Sequence, residues 1–303
     1  MILAVEKAGE PIPFVWFWPE GYSACAVLTH DVEAREGLEF VPELMDLDAQ
    51  YGFRSSFQLV PEDRYEAPRS LLDLIKERGF EVNVHDLNHD GNLFRDQVTF
   101  ESREVLIRSY QKQFGARGFR SGALYRNPHW IERLGFDYDM SIPNAALLDP
   151  QFGGCCTLMP FFMGTTLELP TTMVQDYSLF HILRQKSADL WLTQLEMTMS
   201  VNGLANFIIH PDYVIGRSER SVYQVLLSHL AKLRDEQNMW VALPGEVSEW
   251  WRARHEMRIG RTADGWVIEG DQCHRARLAF ASIHNGNLVY NIPAQTQRAG
   301  AAD

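Results

Sequence analysis

Phe80-Glu81-Val82-Asn83-Val84-His85-Asp86-Leu87-Asn88-His89 is a short apolar run that ends in two histidines four residues apart. Asp86, Asn88, Asp90, Gly91 and Asn92 around them belong to a loop and not to the middle of a helix. The imidazoles therefore stand just past the end of a strand, where two of them can point at one ion from a single turn of chain. Alone the pair is weak, because exposed loops often carry histidines. Two other runs end in the same way: Ala26-Val27-Leu28-Thr29-His30-Asp31-Val32-Glu33, and Phe207-Ile208-Ile209-His210-Pro211-Asp212.

Outward from these runs, strand and helix patterns alternate. Strands are predicted near 24–30, 55–60, 80–85, 118–121, 138–142, 167–169, 206–210 and 240–243. Helices are predicted near 36–50, 70–77, 102–114, 128–134, 187–201, 219–235 and 246–254. This alternation means βαβ units and a parallel sheet. About seven units in some 250 residues suggest a closed or nearly closed barrel, whose strand C-termini converge on one axis. From about Met257 the pattern turns to period two. Trp266–Glu269, Ala276–Phe280 and Leu288–Ile292 read as strands, with hairpin signals at Asp264-Gly265 and Asn285-Gly286. The expected division is a barrel over 1–255, a small β extension over 256–294 and a disordered tail over 295–303.

The chain has 303 residues, 46% of them hydrophobic, which is enough for one large core. The net charge of -12, with no Lys/Arg-rich run, disfavours nucleic acid as a partner. Glu6, Pro11 and Pro13 arrive too early for a secretory apolar segment, and no stretch is long and apolar enough to span a membrane. Four cysteines without CxxC spacing point to a reducing, cytoplasmic setting. A homo-oligomer is compatible with all of this.

Asp31 and Glu33 lie two apart, so strand geometry puts both on one face and His30 on the other. With the histidines they allow a division of labour: one carboxylate binds a divalent ion and the other accepts a proton from water. An acidic first helical turn is the plain alternative. His210 can protonate a leaving amine, and Asp176 can orient it by accepting its other N–H. Arg120 can pair with a carboxylate and keep it ionised. Tyr125 and Trp130 are placed to stack on a ligand. The aromatic set Phe14, Trp16, Phe17 and Trp18, with Trp250-Trp251, is expected to pack in a core.

Over residues 24–254 these motifs, in chain order, resemble the polysaccharide deacetylases, the NodB-homology hydrolases. Thr29-His30-Asp31-Val32-Glu33 corresponds to the family's first motif and His85/His89 to its HxxxH pair. Arg120 with Tyr125, Asp176-Tyr177 and Ile208-Ile209-His210 correspond to the third, fourth and fifth. The resemblance implies an irregular (β/α)7 barrel, Asp31 as general base and His210 as general acid. It implies a divalent metal, usually zinc, held by His85, His89 and a first-motif carboxylate. Two departures stand out. The usual adjacent acids are separated by Val32, so either Glu33 or Asp31 is the metal carboxylate. The loop after Arg120 also lacks its usual prolines.

The expected function is metal-dependent hydrolysis of a non-peptide C–N bond, with a small or lipid-linked N-acetylated saccharide as substrate. The rival readings are a metal-independent cyclic-amide hydrolase and a non-catalytic saccharide-binding protein.

Overall fold

Ala24–Val32 is buried along its whole length, as a strand must be when it is covered on both faces and paired on both edges. In the computed structural model, which describes residues 2–144, 154–263 and 265–293, it is the second strand, β2. The tail read as disordered, 295–303, lies outside the described residues. Two compact units emerge: Ser23–Ser248, and Met1–Tyr22 together with Glu249–Asp303.

The larger unit is built on β2, β3 (Ser56–Leu59), β4 (Glu81–His85), β5 (Gly118–Arg120), β6 (Tyr138–Asp139), β7 (Phe161–Met163), β8 (Thr166–Glu168), β9 (Leu204–Ile209) and β10 (Met239–Ala242). The order is β10-β2-β3-β4-β5-β6-β8-β7, and β9 also pairs with β2. Every pairing is parallel except the β7–β8 hairpin. The helices α2 (Arg35–Gln50), α3 (Arg69–Glu77), α4 (Gln97–Phe114), α5 (Pro128–Arg133), α6 (Asp189–Ser200) and α7 (Arg217–Gln237) follow in the alternation that the sequence predicts. Helix α4 begins five residues before its predicted start, because the Asp96 side chain accepts from Thr99 N–H and caps it there.

Side-chain alternation divides the strands into two faces. Leu28, Phe57, Val84, Phe119 and Phe207 pack outward with the apolar sides of the helices. Ser56, Gln58, Asn83 and Arg120 are buried on the inner face. At the base, Asn83 Nδ2 donates to Ser56 Oγ and to Tyr138 Oη at 2.7 Å each, and Gly118 N–H donates to Asn83 Oδ1 at 2.7 Å. Tyr138 in turn donates to Glu81, whose carboxyl burial pushes up to about 7. Residue 118 must be glycine: a Cβ there would lie 2.2 Å from the Tyr138 ring.

No strand ladder joins β8 to β9 among the described residues. Side chains span that seam. Thr172 Oγ1 donates to Leu204 O at 2.6 Å and accepts from Asn206 N–H at 2.9 Å, while Asn206 Nδ2 donates to Leu169 O at 2.9 Å. The barrel is thus curled and closed by polar contacts in place of one ladder, which is its irregularity.

Asp139 and Glu168 sit directly opposite each other on β6 and β8, both wholly buried. Burial raises both carboxyls above the ordinary range, and for Glu168 the neighbouring Asp139 adds to it. A group whose pKa is raised in the folded state contributes stability fully present below its unfolded pKa, and loses it as pH rises through the folded value. Glu168→Gln keeps the oxygen that accepts from Ile142 N–H at 2.9 Å but carries no charge. Melting curves from pH 5 to 9 are expected to show the wild type losing several degrees relative to the variant at the alkaline end. Parallel curves for the two proteins would show that the pair does not titrate in this way.

The smaller unit contains α1 (Ile2–Ala8), β1 (Ile12–Val15), β11 (Arg258–Thr262), β12 (Gly265–Glu269), β13 (Leu278–His284) and β14 (Asn287–Asn291). The β1-β13-β14 sheet is antiparallel, and β11–β12 is a hairpin. Here the N-terminal segment joins the C-terminal strands, which the division at 255/256 does not include. Trp16, Trp18 and Trp250 are buried in this unit, as core aromatics. Helix α8 (Pro244–Glu256) carries the chain from one unit into the other.

Candidate metal centre and active site

At or within one residue of the C-terminal ends of β2, β4, β5 and β9 stand Asp31, His85, Arg120 and His210, so topology alone gathers them at one mouth. Arg120 is wholly buried and reaches across the barrel. Its Nη1 donates to Asp31 Oδ1 at 2.5 Å and to Thr29 Oγ1 at 2.8 Å, and its Nε donates to Met140 O at 3.1 Å. Burial alone would push the Asp31 carboxyl up. The Arg120 guanidinium, with His85 and His210, outweighs that and holds it below the usual carboxylate range.

Glu33 takes a different set of neighbours. Its Oε1 lies 3.1 Å from His85 Nε2, 2.9 Å from His89 Nε2 and 3.3 Å from His210 Nε2. Burial opposes ionisation there too, but the His210, His85 and His89 imidazoles beside it bring the carboxyl far below its ordinary value. His85 Nδ1–H donates to Arg120 O at 3.0 Å, which fixes the ring and aims Nε2 inward. His85 also has its Nε2 3.7 Å from Asp31 Oδ2. Burial lowers the His85 pKa, and Asp31 and Glu33 together raise it above the ordinary imidazole value.

His210 follows β9 and is clamped at two points by one carboxylate. Its backbone N–H donates to Asp176 Oδ2 at 2.6 Å and its Nδ1–H to Asp176 Oδ1 at 2.7 Å. The free Nε2 faces the cluster. Burial would make this imidazole less basic; Asp176 and then Glu33 reverse that and raise it well above the usual value. The Tyr213 ring lies against it, centroids 4.6 Å apart.

The donor set suits a divalent cation. Glu33, His85 and His89 form one group of ligand atoms within 4.8 Å of one another, and Asp31, Glu33 and His210 form an overlapping one. His89 Nε2 is buried and makes no hydrogen bond, despite the nearby carboxylate. An orphaned imidazole nitrogen, a second imidazole aimed by its outer hydrogen bond, and an ionised carboxylate are what such an ion requires.

The structure therefore brings together Asp31, Glu33, His85, His89, Arg120, Asp176 and His210. Tyr125 stands by the same loop: its ring lies 3.3 Å from where a Cβ on Gly91 would be. Trp130 is elsewhere. It stacks on Phe100 at 5.1 Å and packs near Phe94 at 6.4 Å, partly buried against the core. His30 faces outward to Asp48, with 3.0 Å between Nε2 and Oδ2. Sequence reasoning placed Thr29 in the first motif but gave it no role; it accepts from Arg120 and donates to Phe207 O at 2.5 Å. Sequence reasoning missed Gly122: a Cβ there would lie 2.5 Å from Asp86 Oδ2 and 3.0 Å from the His89 ring. The only local signal was a small residue following Arg120.

No family model matches this sequence, and no curated protein matches it. Solved structures do resemble it. A proposed polysaccharide deacetylase from Mycobacterium smegmatis superposes with a TM-score of 0.64 at 18% identity, over 81% of this chain and 96% of that one. The Puue allantoinase gives 0.58 at 13% identity, over 78% and 93%. A proposed polysaccharide deacetylase from Pseudomonas aeruginosa PAO1 gives 0.57 at 13%, over 80% and 95%. At these identities the likeness establishes the fold, which is the irregular (β/α) barrel expected from the sequence. Among the described residues, no helix is long and apolar enough to cross a membrane.

Proposed function

We propose that this protein is a metal-dependent hydrolase of a non-peptide C–N bond that removes an acetyl group from an N-acetylated sugar or small saccharide. The observation that carries the reading is the separation of the two first-strand acids. Asp31 is paired with a buried guanidinium, whereas Glu33 is surrounded by three imidazole nitrogens. That separation supports Glu33, His85 and His89 as the metal ligands, with zinc as the first choice for one carboxylate and two imidazoles. A bound divalent ion supplies Lewis-acid polarisation of the amide carbonyl and stabilises the charge that develops on its oxygen.

The chain's own residues do the rest. Arg120 keeps Asp31 ionised, so its free oxygen can accept a proton from the attacking water. His210 carries a proton on Nε2 and delivers it to the departing amine nitrogen. Asp176 sets the tautomer and orientation of that ring, and the raised basicity of His210 keeps it protonated near neutral pH. The acid and the base thus have oppositely shifted pKa values, as their separate tasks need.

Acetate release from N-acetylglucosamine and its short oligomers tests this. Chelator-stripped protein is expected to fall to the background rate and to recover when zinc or cobalt is returned. A second reading is a cyclic-amide hydrolase that needs no metal; one of the structural neighbours is an allantoinase. Full turnover of a cyclic amide by stripped protein would select it. Saccharide binding without turnover, with metal supplied, would instead mark a non-catalytic binding protein.

A further inference from the structure

The β2–β3 ladder runs in register from Thr29↔Ser56 to Val32↔Leu59 and stops there. In a parallel ladder this last pair turns Val60 N–H toward Val32 O. A side chain bridges the two groups. Val60 N–H donates to the Tyr65 hydroxyl at 2.9 Å, and the hydroxyl donates to Val32 O at 2.5 Å. The hydroxyl thus ties the end of β2 to the residue that follows β3.

Val32 is the residue that separates the two acids. It points outward into the apolar core and is fully buried there, while Asp31 and Glu33 share the inner face. On its other edge β2 pairs with β9 as far as His30↔Ile209, and β9 leads directly to His210. Glu33 directly follows Val32, so what holds the Val32 carbonyl also fixes where the Glu33 side chain starts, and its Oε1 meets His210 as well as His85 and His89.

We propose that Tyr65 is a positioning residue: its hydroxyl, bonded to both Val60 N–H and Val32 O at the end of the β2–β3 ladder, sets the Val32 carbonyl so that Glu33 reaches the three imidazoles. The metal consequence rests on the reading of Glu33 as a metal ligand; the geometric one does not. Tyr65 is itself buried, and burial, with Glu33 and Asp31 nearby, keeps its hydroxyl protonated and therefore a donor.

The test is Tyr65→Phe, which keeps the ring, with Tyr65→Met as a second variant without the hydroxyl. In metal-free crystals of either variant, Val60 N–H is expected to bond Val32 O directly. Glu33 is expected to leave hydrogen-bond distance of at least one Nε2 atom. Cobalt affinity, measured by titration, is expected to fall about tenfold or more, while the melting temperature of the metal-free protein moves by only a few degrees. Glu33 unmoved in the variant crystals overturns the proposal, and so does cobalt affinity equal to that of wild type. A wild-type protein that binds no cobalt would sink the proposed function, and the metal-free crystals would still decide the role of Tyr65.

Discussion

Asp31→Asn is expected to lower kcat/KM for acetate release by about 10³-fold, within the range that loss of a general base produces, while zinc affinity stays within a few-fold of wild type. The amide is nearly the same size as the carboxylate and its oxygen still accepts from Arg120 Nη1, so the barrel mouth keeps its shape. What is lost is the second oxygen's ability to take a proton. Glu33→Gln is the counterpart: it removes the anionic partner of three imidazoles and is expected to lower zinc affinity before anything else. Measuring metal affinity and rate on both variants separates the roles. If Asp31→Asn loses the metal and Glu33→Gln retains it, the two assignments are reversed.

Arg120→Met has the largest expected effect on stability. Met fills much of the same volume, but Asp31 is then left buried without its cation. Breaking a buried pair by removing one partner costs about 3–5 kcal/mol. Asp31 has a folded-state pKa below its unfolded value, so the stability it contributes is present above the unfolded pKa and is lost as pH falls through the folded one. The gap between wild type and Arg120→Met is therefore widest at neutral pH, where the stranded carboxylate must be charged or take up a proton. It narrows in acid. The double variant Arg120→Met/Asp31→Asn is expected to regain much of the loss, because the uncompensated charge is gone. Chemical denaturation of the three proteins at pH 7 and pH 4 measures this. Equal losses at both pH values would mean that the guanidinium acts through packing alone.

The residues that close the site were legible for a local reason. In a parallel barrel, a polar residue that ends an apolar run stands at the mouth, so His85, Asp31 and His210 announce themselves one strand at a time. Their division of labour was not legible. Asp31 and Glu33 share a face by strand period, and only Arg120, 89 residues on from Asp31, distinguishes them. The surroundings of Trp130 were illegible for the same kind of reason: proximity in sequence to Arg120 said nothing about the Phe94 and Phe100 rings on which it packs. The pairing of β1 with β13 joins opposite ends of the chain and leaves no local trace, which is why the N-terminal segment was read with the barrel. The short strand β7 was missed because three partly buried residues in a hairpin show too little alternation. The Tyr65 hydroxyl, which bridges the ends of β2 and β3, belongs to no sequence pattern at all.

Anomalous diffraction at the zinc absorption edge, from crystals grown with zinc, tests the central claim most directly. The expected map has one strong peak bonded to Glu33, His85 and His89, with Asp31 still paired to Arg120 and outside the coordination shell. A peak ligated by Asp31 with Glu33 turned away, or no peak among these side chains at saturating zinc, would contradict it.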